Sequence, residues 1–142
     1  MSLTAQVRVL YADTDQMGVV NNVHYLRYFE IGRAEYLRDR GTPYKKLEEM
    51  GLKFPVVEAH LRYREPARYD DLLDIETEVE DLRAASVQFK YAIRRGAGSG
   101  PAVGAVLCEG WTKHACLNEH NQLKRFPDFV LALLRPTGVA SR

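Results

Sequence analysis

Cysteine, tryptophan and long apolar runs are scarce in this 142-residue chain, and neither sign of charge dominates it. Two cysteines cannot build a disulfide framework. Cys108 and Cys116 fall on one extended segment, where eight residues cover roughly 26 Å. A disulfide tolerates only ~7 Å between Cα atoms, so both are expected as reduced thiols, which suits the cytoplasm. The longest uninterrupted apolar run, residues 129–134, is far short of the ~20 residues that cross a bilayer. Residues 1–4 lack the basic and apolar regions of a signal peptide. A cytoplasmic location without a membrane span is therefore expected. Twenty basic against nineteen acidic side chains leave a net charge of +1, so no strong field favours nucleic acid. There is no GxxxxGK phosphate loop. His60, His114 and His120 lack zinc-like spacing. Glu76, Glu78 and Glu80 project along a line instead of converging on a cation. No metal site is expected.

The length suits one domain, taken as residues 1–142 with a frayed tail at 137–142. The glycine-rich stretch 96–101 reads as a hairpin loop. Val7, Val9 and Tyr11 alternate with Gln6, Arg8 and Leu10, which predicts a first strand at residues 5–10. A polar loop, residues 12–18, leads to the longest helical pattern, residues 22–40. There Tyr25, Phe29, Gly32 and Tyr36 form one stripe, Leu26 and Leu37 widen it, and Arg27, Glu30, Arg33, Glu35 and Arg38 supply charge. Asn22 fits the N-cap and Gly41 the position just past the end. Gly32 costs about 1 kcal/mol of helix propensity relative to Ala, which points to close approach of a sheet. Thr42 and Pro43 read as the cap and first residue of a short helix ending near Met50. Alternating patterns then predict strands around residues 57–63, 73–79 and 87–93. A more apolar strand at 103–117 is expected to be covered on both faces, and a short helix at 127–134 follows. Successive strands joined by tight loops favour antiparallel pairing. The fold class is α+β: five antiparallel strands curled around one long helix.

Chemistry concentrates where the polar loop meets that helix. Free backbone N–H groups and the positive end of the helix dipole lie at the helix start. They can polarise a carbonyl and hold an oxyanion, while a nearby carboxylate such as Asp15 can activate water or attack directly. Gly18 allows close approach of backbone to substrate. On spacing alone, Asp13 and Asp15 read equally as turn formers in a solvated loop. Glu30 has Arg27 and Arg33 three residues away on either side, so an ordinary helix ion pair is expected. Asp70 and Asp71 read as turn residues at a strand entrance, and Tyr25 as core or pocket lining.

Tyr11-x-Asp13-Thr14-Asp15-Gln16-Met17-Gly18-Val19-Val20-Asn21-Asn22, continuing through Tyr25-Leu26-Arg27-Tyr28-Phe29-Glu30, resembles the signature of the hotdog-fold acyl-CoA thioesterases. The branch it resembles includes 4-hydroxybenzoyl-CoA thioesterase and the thioesterases encoded beside the Tol–Pal system. Residues 66–73 (Pro66-Ala67-Arg68-Tyr69-Asp70-Asp71-Leu72-Leu73) and 116–119 form second and third matching blocks, and the resemblance spans roughly residues 5–130.

The resemblance implies hydrolysis of an acyl-CoA to a free acid and coenzyme A, in a homodimer or homotetramer with sites at a subunit interface. By position, Asp15 matches the catalytic carboxylate, as general base or nucleophile, and Asn22 the residue whose backbone N–H polarises the thioester carbonyl. Gly18, Tyr25 and Arg68 are the candidate substrate-binding residues, Arg68 because guanidinium suits the phosphates of coenzyme A. No metal or redox cofactor is called for. Tol–Pal-associated members often carry His where this chain has Asn22. His24 lies two residues on, where a helix points it in another direction, so it inherits no catalytic role. The alternative is a hotdog module that binds acyl-CoA, or serves as an interaction surface, without cutting. A hydratase of the same fold relies on a differently placed Asp and His pair, and that motif is not seen.

Overall fold

The computed structural model describes residues 3–97, 99 and 103–135. The tail expected at 137–142, and residues 98, 100 and 101 of the expected 96–101 loop, lie outside the described residues. Period-two alternation yields β1 (Leu3–Arg8), β2 (Val56–Tyr63), β3 (Leu72–Leu82), β4 (Ser86–Arg95) and β5 (Val106–Ala115). They form one antiparallel sheet in the order β1-β3-β4-β5-β2. The helices are α1 (His24–Asp39), α2 (Tyr44–Glu49) and α3 (Asp128–Leu134). The sheet packs on α1 through β1, β3 and β4, which leaves β2 at an edge beyond the helix.

Three local expectations shift. β1 ends earlier than residue 10 because the chain after Arg8 curls into a short 3₁₀ turn, Tyr11–Asp13. β5 is shorter than 103–117: Leu107, Cys108, Thr112 and His114 are buried and the rest of the strand is half-buried, with Trp111 stacked on His60 of β2. Both thiols are free and buried. Pro43 takes the cap position of α2 expected for Thr42. Among the described residues no group of His, Cys, Asp or Glu could hold a metal ion, and no helix is long and apolar enough to cross a membrane.

α1 buries Tyr25, Tyr28, Phe29, Gly32, Tyr36 and Leu37. Phe29 stacks on Tyr91 of β4 with ring centroids 4.2 Å apart. Leu26, expected on the buried stripe, is 43% exposed, and Tyr28 is inside instead. The helix turns that way because the Tyr28 hydroxyl reaches the buried Asp13 carboxylate. Gly32 sits directly on β3: a Cβ there would meet the Thr77 hydroxyl and lie 2.8 Å from Cγ2 of Ile75. The close approach read from the sequence is thus present. Gly32→Ala is expected to destabilise by about 1–3 kcal/mol through overpacking, although Ala is the better helix former; urea denaturation checks the sign.

Below α1, a polar chain crosses the core. His114 Nδ1 faces the Phe54 carbonyl at 2.9 Å, so that nitrogen carries the proton and Nε2 accepts from the Thr112 hydroxyl at 2.8 Å. The Tyr91 hydroxyl then donates to Thr112 at 2.6 Å. Burial is the main cause that lowers the His114 pKa from 6.5 to about 4, keeping the ring neutral. As pH falls through 6.5 the unfolded chain takes up a proton that the folded chain refuses. Stability present above pH 6.5 is therefore lost progressively toward pH 4, by roughly 3 kcal/mol. Denaturation midpoints across pH 7 to 4 should show this slope in the parent and its loss in His114→Gln.

Candidate active site

The loop between β1 and α1 is built around Asp13, which is only 3% exposed. Its Oδ2 accepts from the Leu10 amide at 3.0 Å and the Tyr28 hydroxyl at 2.9 Å, and its Oδ1 pairs with Arg27 at 2.5 Å. Burial pushes its pKa up, but the two hydrogen bonds and the Arg27 charge outweigh that, and the net shift is down. The Asp13 carbonyl in turn accepts from the Asn21 amide at 2.9 Å. One residue thereby ties the start of the loop to its end and to the first turns of α1. Arg27 is spent on this pair, so the ion pair expected with Glu30 does not form; Glu30 makes no ion pair among the described residues.

Residues 14–20 form a small hairpin. Thr14 bridges Val20, the Asp15 amide donates to the Val19 carbonyl at 3.0 Å, and the Gly18 amide donates to the Asp15 carbonyl at 2.9 Å. Gly18 has φ +80, the left-handed conformation that closes such a three-residue loop. Asp15 opens the turn, and its Oδ1 accepts from the Met17 amide at 2.8 Å. Val19 bridges Arg68, whose exposed guanidinium makes no ion pair among the described residues. Asp15, Gly18 and Arg68 thus share this hairpin edge.

Three residues later the helix begins, and its cap is a correction to the sequence reading. The cap position falls to Val23, not Asn22, and no side chain caps the helix; just before it, Asn21 Oδ1 accepts from the Val23 amide at 3.1 Å and the Asn21 carbonyl accepts from the His24 amide at 3.0 Å. A turn through Asn22 and Val23 moves the helix start to His24. Within that turn the Asn22 amide has no acceptor among the described residues. The Asn22 carbonyl accepts from the Tyr63 hydroxyl of β2 at 3.3 Å. Asn22 and Tyr25, with Val20, Tyr63 and Pro66, line a cavity of about 270 Å³. Tyr25 is its floor: the hydroxyl accepts from the Ala67 amide at 3.2 Å, and the ring meets Tyr28 and Tyr63 edge-on. Burial raises the Tyr25 pKa, so the phenol stays protonated.

The structure therefore gathers the candidates in two groups. Asn22 and Tyr25 share the cavity; Asp15, Gly18 and Arg68 do not line it. His24 is the first helical residue and its ring has no hydrogen-bond partner among the described residues. One sequence reading is corrected here and one residue was passed over. Asp13, read as a turn former in a solvated loop, is the buried structural acid of the Asp13-x-Asp15 pair, for which spacing offers no discriminating signal. Tyr63 ends a strand and could be linked to Asn22 only through the fold.

Residues 9–134 match the model of the thioesterase-like superfamily. The chain belongs to that superfamily. This thioesterase-like chain is 31% identical over 128 residues to a putative esterase of Aquifex aeolicus, covering 90% of itself and 94% of that protein. It is 38% identical over 113 residues to acyl-CoA thioesterase YbgC of Haemophilus influenzae, covering 79% and 78%. A solved probable thioesterase from Bartonella henselae superposes with a TM-score of 0.81 at 32% identity, covering 89% of this chain and all of that one. In this thioesterase-like fold, Asp13 is expected to be structural. Asp13→Ala leaves the Tyr28 hydroxyl and the Leu10 amide without an acceptor and should cost about 1–3 kcal/mol. Thermal or urea denaturation reads the loss, and an unchanged midpoint would remove Asp13 from its anchoring role.

Proposed function

We propose that this chain is a thioester hydrolase that cleaves acyl-CoA to a carboxylic acid and coenzyme A. The observation that carries the reading is the Asn22 amide: an unpaired N–H at the start of a 16-residue helix, on the rim of a cavity floored by Tyr25. A thioester carbonyl oxygen set against that N–H gains a hydrogen bond and the positive helix end, both of which strengthen as the oxygen becomes an oxyanion. Asp15 supplies the carboxylate. As general base it takes the proton of a water that attacks the carbonyl carbon; as nucleophile it attacks directly and forms a mixed anhydride for water to open. In either route the tetrahedral intermediate collapses, the carbon–sulfur bond breaks, and coenzyme A leaves as its thiolate. Gly18 gives the ligand room at the hairpin, and Arg68 beside it is the donor for a phosphate of coenzyme A.

We further propose that the site is completed in a homo-oligomer. β2 is an edge strand with seven of its eight residues exposed, and an uncovered edge is a template for pairing with another chain. Antiparallel pairing of β2 with a second copy brings a second 14–20 hairpin toward the groove beside α1. One observation favours the rival reading of binding without hydrolysis: within a single chain the Asp15 carboxylate closes on its own turn and does not line the cavity. Asp15→Asn separates the two. It keeps the shape of the turn, so the fold and acyl-CoA binding are expected to persist while turnover falls at least a hundredfold, measured by release of free thiol. Parent-like turnover in that variant overturns the assignment of Asp15. Saturable binding with no thiol release by the parent itself favours the binding module.

A further inference from the structure

A second cavity, of about 320 Å³, lies farther along α1, walled by Leu37, Phe54, Val56 and Phe89, with Ala34 and Arg33 on its helix side. Nothing in the Asn22 site uses it and the two cavities share no lining residue, yet residues of both α1 and β2 line each of them, and the strip between those two elements forms a trough from one to the other. Tyr63, at the C-terminal end of β2, touches Asn22; Val56, at the N-terminal end, lines the second cavity. The α1 face that runs on from Asn22 is Leu26, Glu30, Arg33 and Leu37, spaced 4, 3 and 4, which is one stripe of a helix. On the sheet side Ala59, Leu61 and Tyr63 pair with Thr112, Gly110 and Cys108 of β5 and so share their inward face, but α1 does not cover them. Leu26 is 43% and Tyr63 51% exposed. The trough is therefore open, with Leu26, Ala59, Leu61 and Tyr63 as its apolar surface beside Glu30 and Arg33.

We propose that the trough and the second cavity hold the chain of a long, uncharged acyl group whose carbonyl sits at the Asn22 amide. The inference rests on the thioesterase reading of that amide and adds the substrate class. Helix rise sets the length. Glu30 lies eight residues beyond Asn22, about 12 Å at 1.5 Å per residue. An extended chain advances about 1.2 Å per bond, so about ten bonds are spent before the second cavity is entered. Acyl groups of twelve to sixteen carbons reach into it, and butanoyl or hexanoyl groups do not. The charged groups at the cavity fit an uncharged chain. Arg33 is half-buried with its guanidinium beside the Tyr91 hydroxyl, which leaves the aliphatic stem as lining. His114, on the same wall, has both ring nitrogens hydrogen-bonded inside the core. Glu30 is exposed at the mouth and in no ion pair among the described residues, which works against a chain that ends in its own carboxylate.

The test is a series of saturated acyl-CoAs from four to sixteen carbons, with kcat/KM measured for the parent, Ala34→Phe and Val56→Phe. Each added ring occupies the second cavity from a different element, so a folding failure of one variant leaves the other. Burial of each methylene is worth about fourfold. In the parent, kcat/KM is expected to rise at least tenfold between eight and fourteen carbons, and the ratio of fourteen- to six-carbon rates should fall at least tenfold in each folded variant. A parent that prefers four to six carbons, or variants that lose all chain lengths equally, overturns the proposal. Failure of the thioesterase reading looks different: the parent then releases no thiol from any substrate. In that case calorimetric binding of the same series decides, with affinity that climbs beyond ten carbons and is flattened by Ala34→Phe supporting the trough, and length-independent affinity overturning it.

Discussion

The Asp13 carboxylate is the constraint on which the site depends. A buried acid is costly unless its oxygens are occupied, and here they are taken by Leu10 before it, and by Arg27 and Tyr28 on the helix after it. The loop between β1 and α1 therefore cannot drift relative to the helix start without stranding a charge. The 14–20 hairpin is closed between Asp13 and Asn21, so it inherits that rigidity. In the turn that leads into the helix the Asn22 amide has no acceptor among the described residues, and a donor left free beside a cavity is poised for an acceptor that arrives from outside.

A second constraint sets where the ligand can lie. Gly32 lets α1 rest directly on Thr77 and Ile75 of β3, and the aromatic pairs of Phe29 with Tyr91 and Tyr36 with Phe89 hold it over that side of the sheet. Seating the helix so close to β3 pulls it away from β2. The sheet is wider than one helix can cover, and the uncovered strip carries apolar side chains. The same packing that stabilises the core thus leaves a trough beside the free amide. In this fold, core geometry and site geometry are one decision.

Much of this was legible in the residues. Period-two alternation marked β1 to β4, and an apolar run marked β5, to within a few residues at most ends. The 4-3-4 spacing through Gly32 marked α1 and the sheet contact beneath it. What was not legible involved choices made by partners distant in sequence. Leu26 and Tyr28 are both plausible on a helix face; Asp13 chose Tyr28. Asn22 is a good capping residue, yet the bond of the Asn21 amide to Asp13 and the turn that follows leave Val23 at the cap. Asp13 and Asp15 are both acids in a polar loop; only the approach of Arg27 distinguishes the buried one from the accessible one. The motif resemblance singled out this region as a block, while the separation of its residues into a hairpin edge and a cavity came from the fold.

That division bears on why the acid and the amide sit apart in one chain. An aspartate placed against the helix start would meet the positive end of the dipole and the free amide, and would occupy the oxyanion position itself. Held instead in its own turn by the Met17 amide, Asp15 leaves free the amide to which we assign the substrate carbonyl. Separation of the two groups keeps the donor vacant. Closing the distance through a second subunit, at an edge strand that one chain leaves unpaired, would let the site assemble only when the groove that holds the substrate is also roofed. Water would then be excluded from the apolar trough at the same moment as the acid arrives.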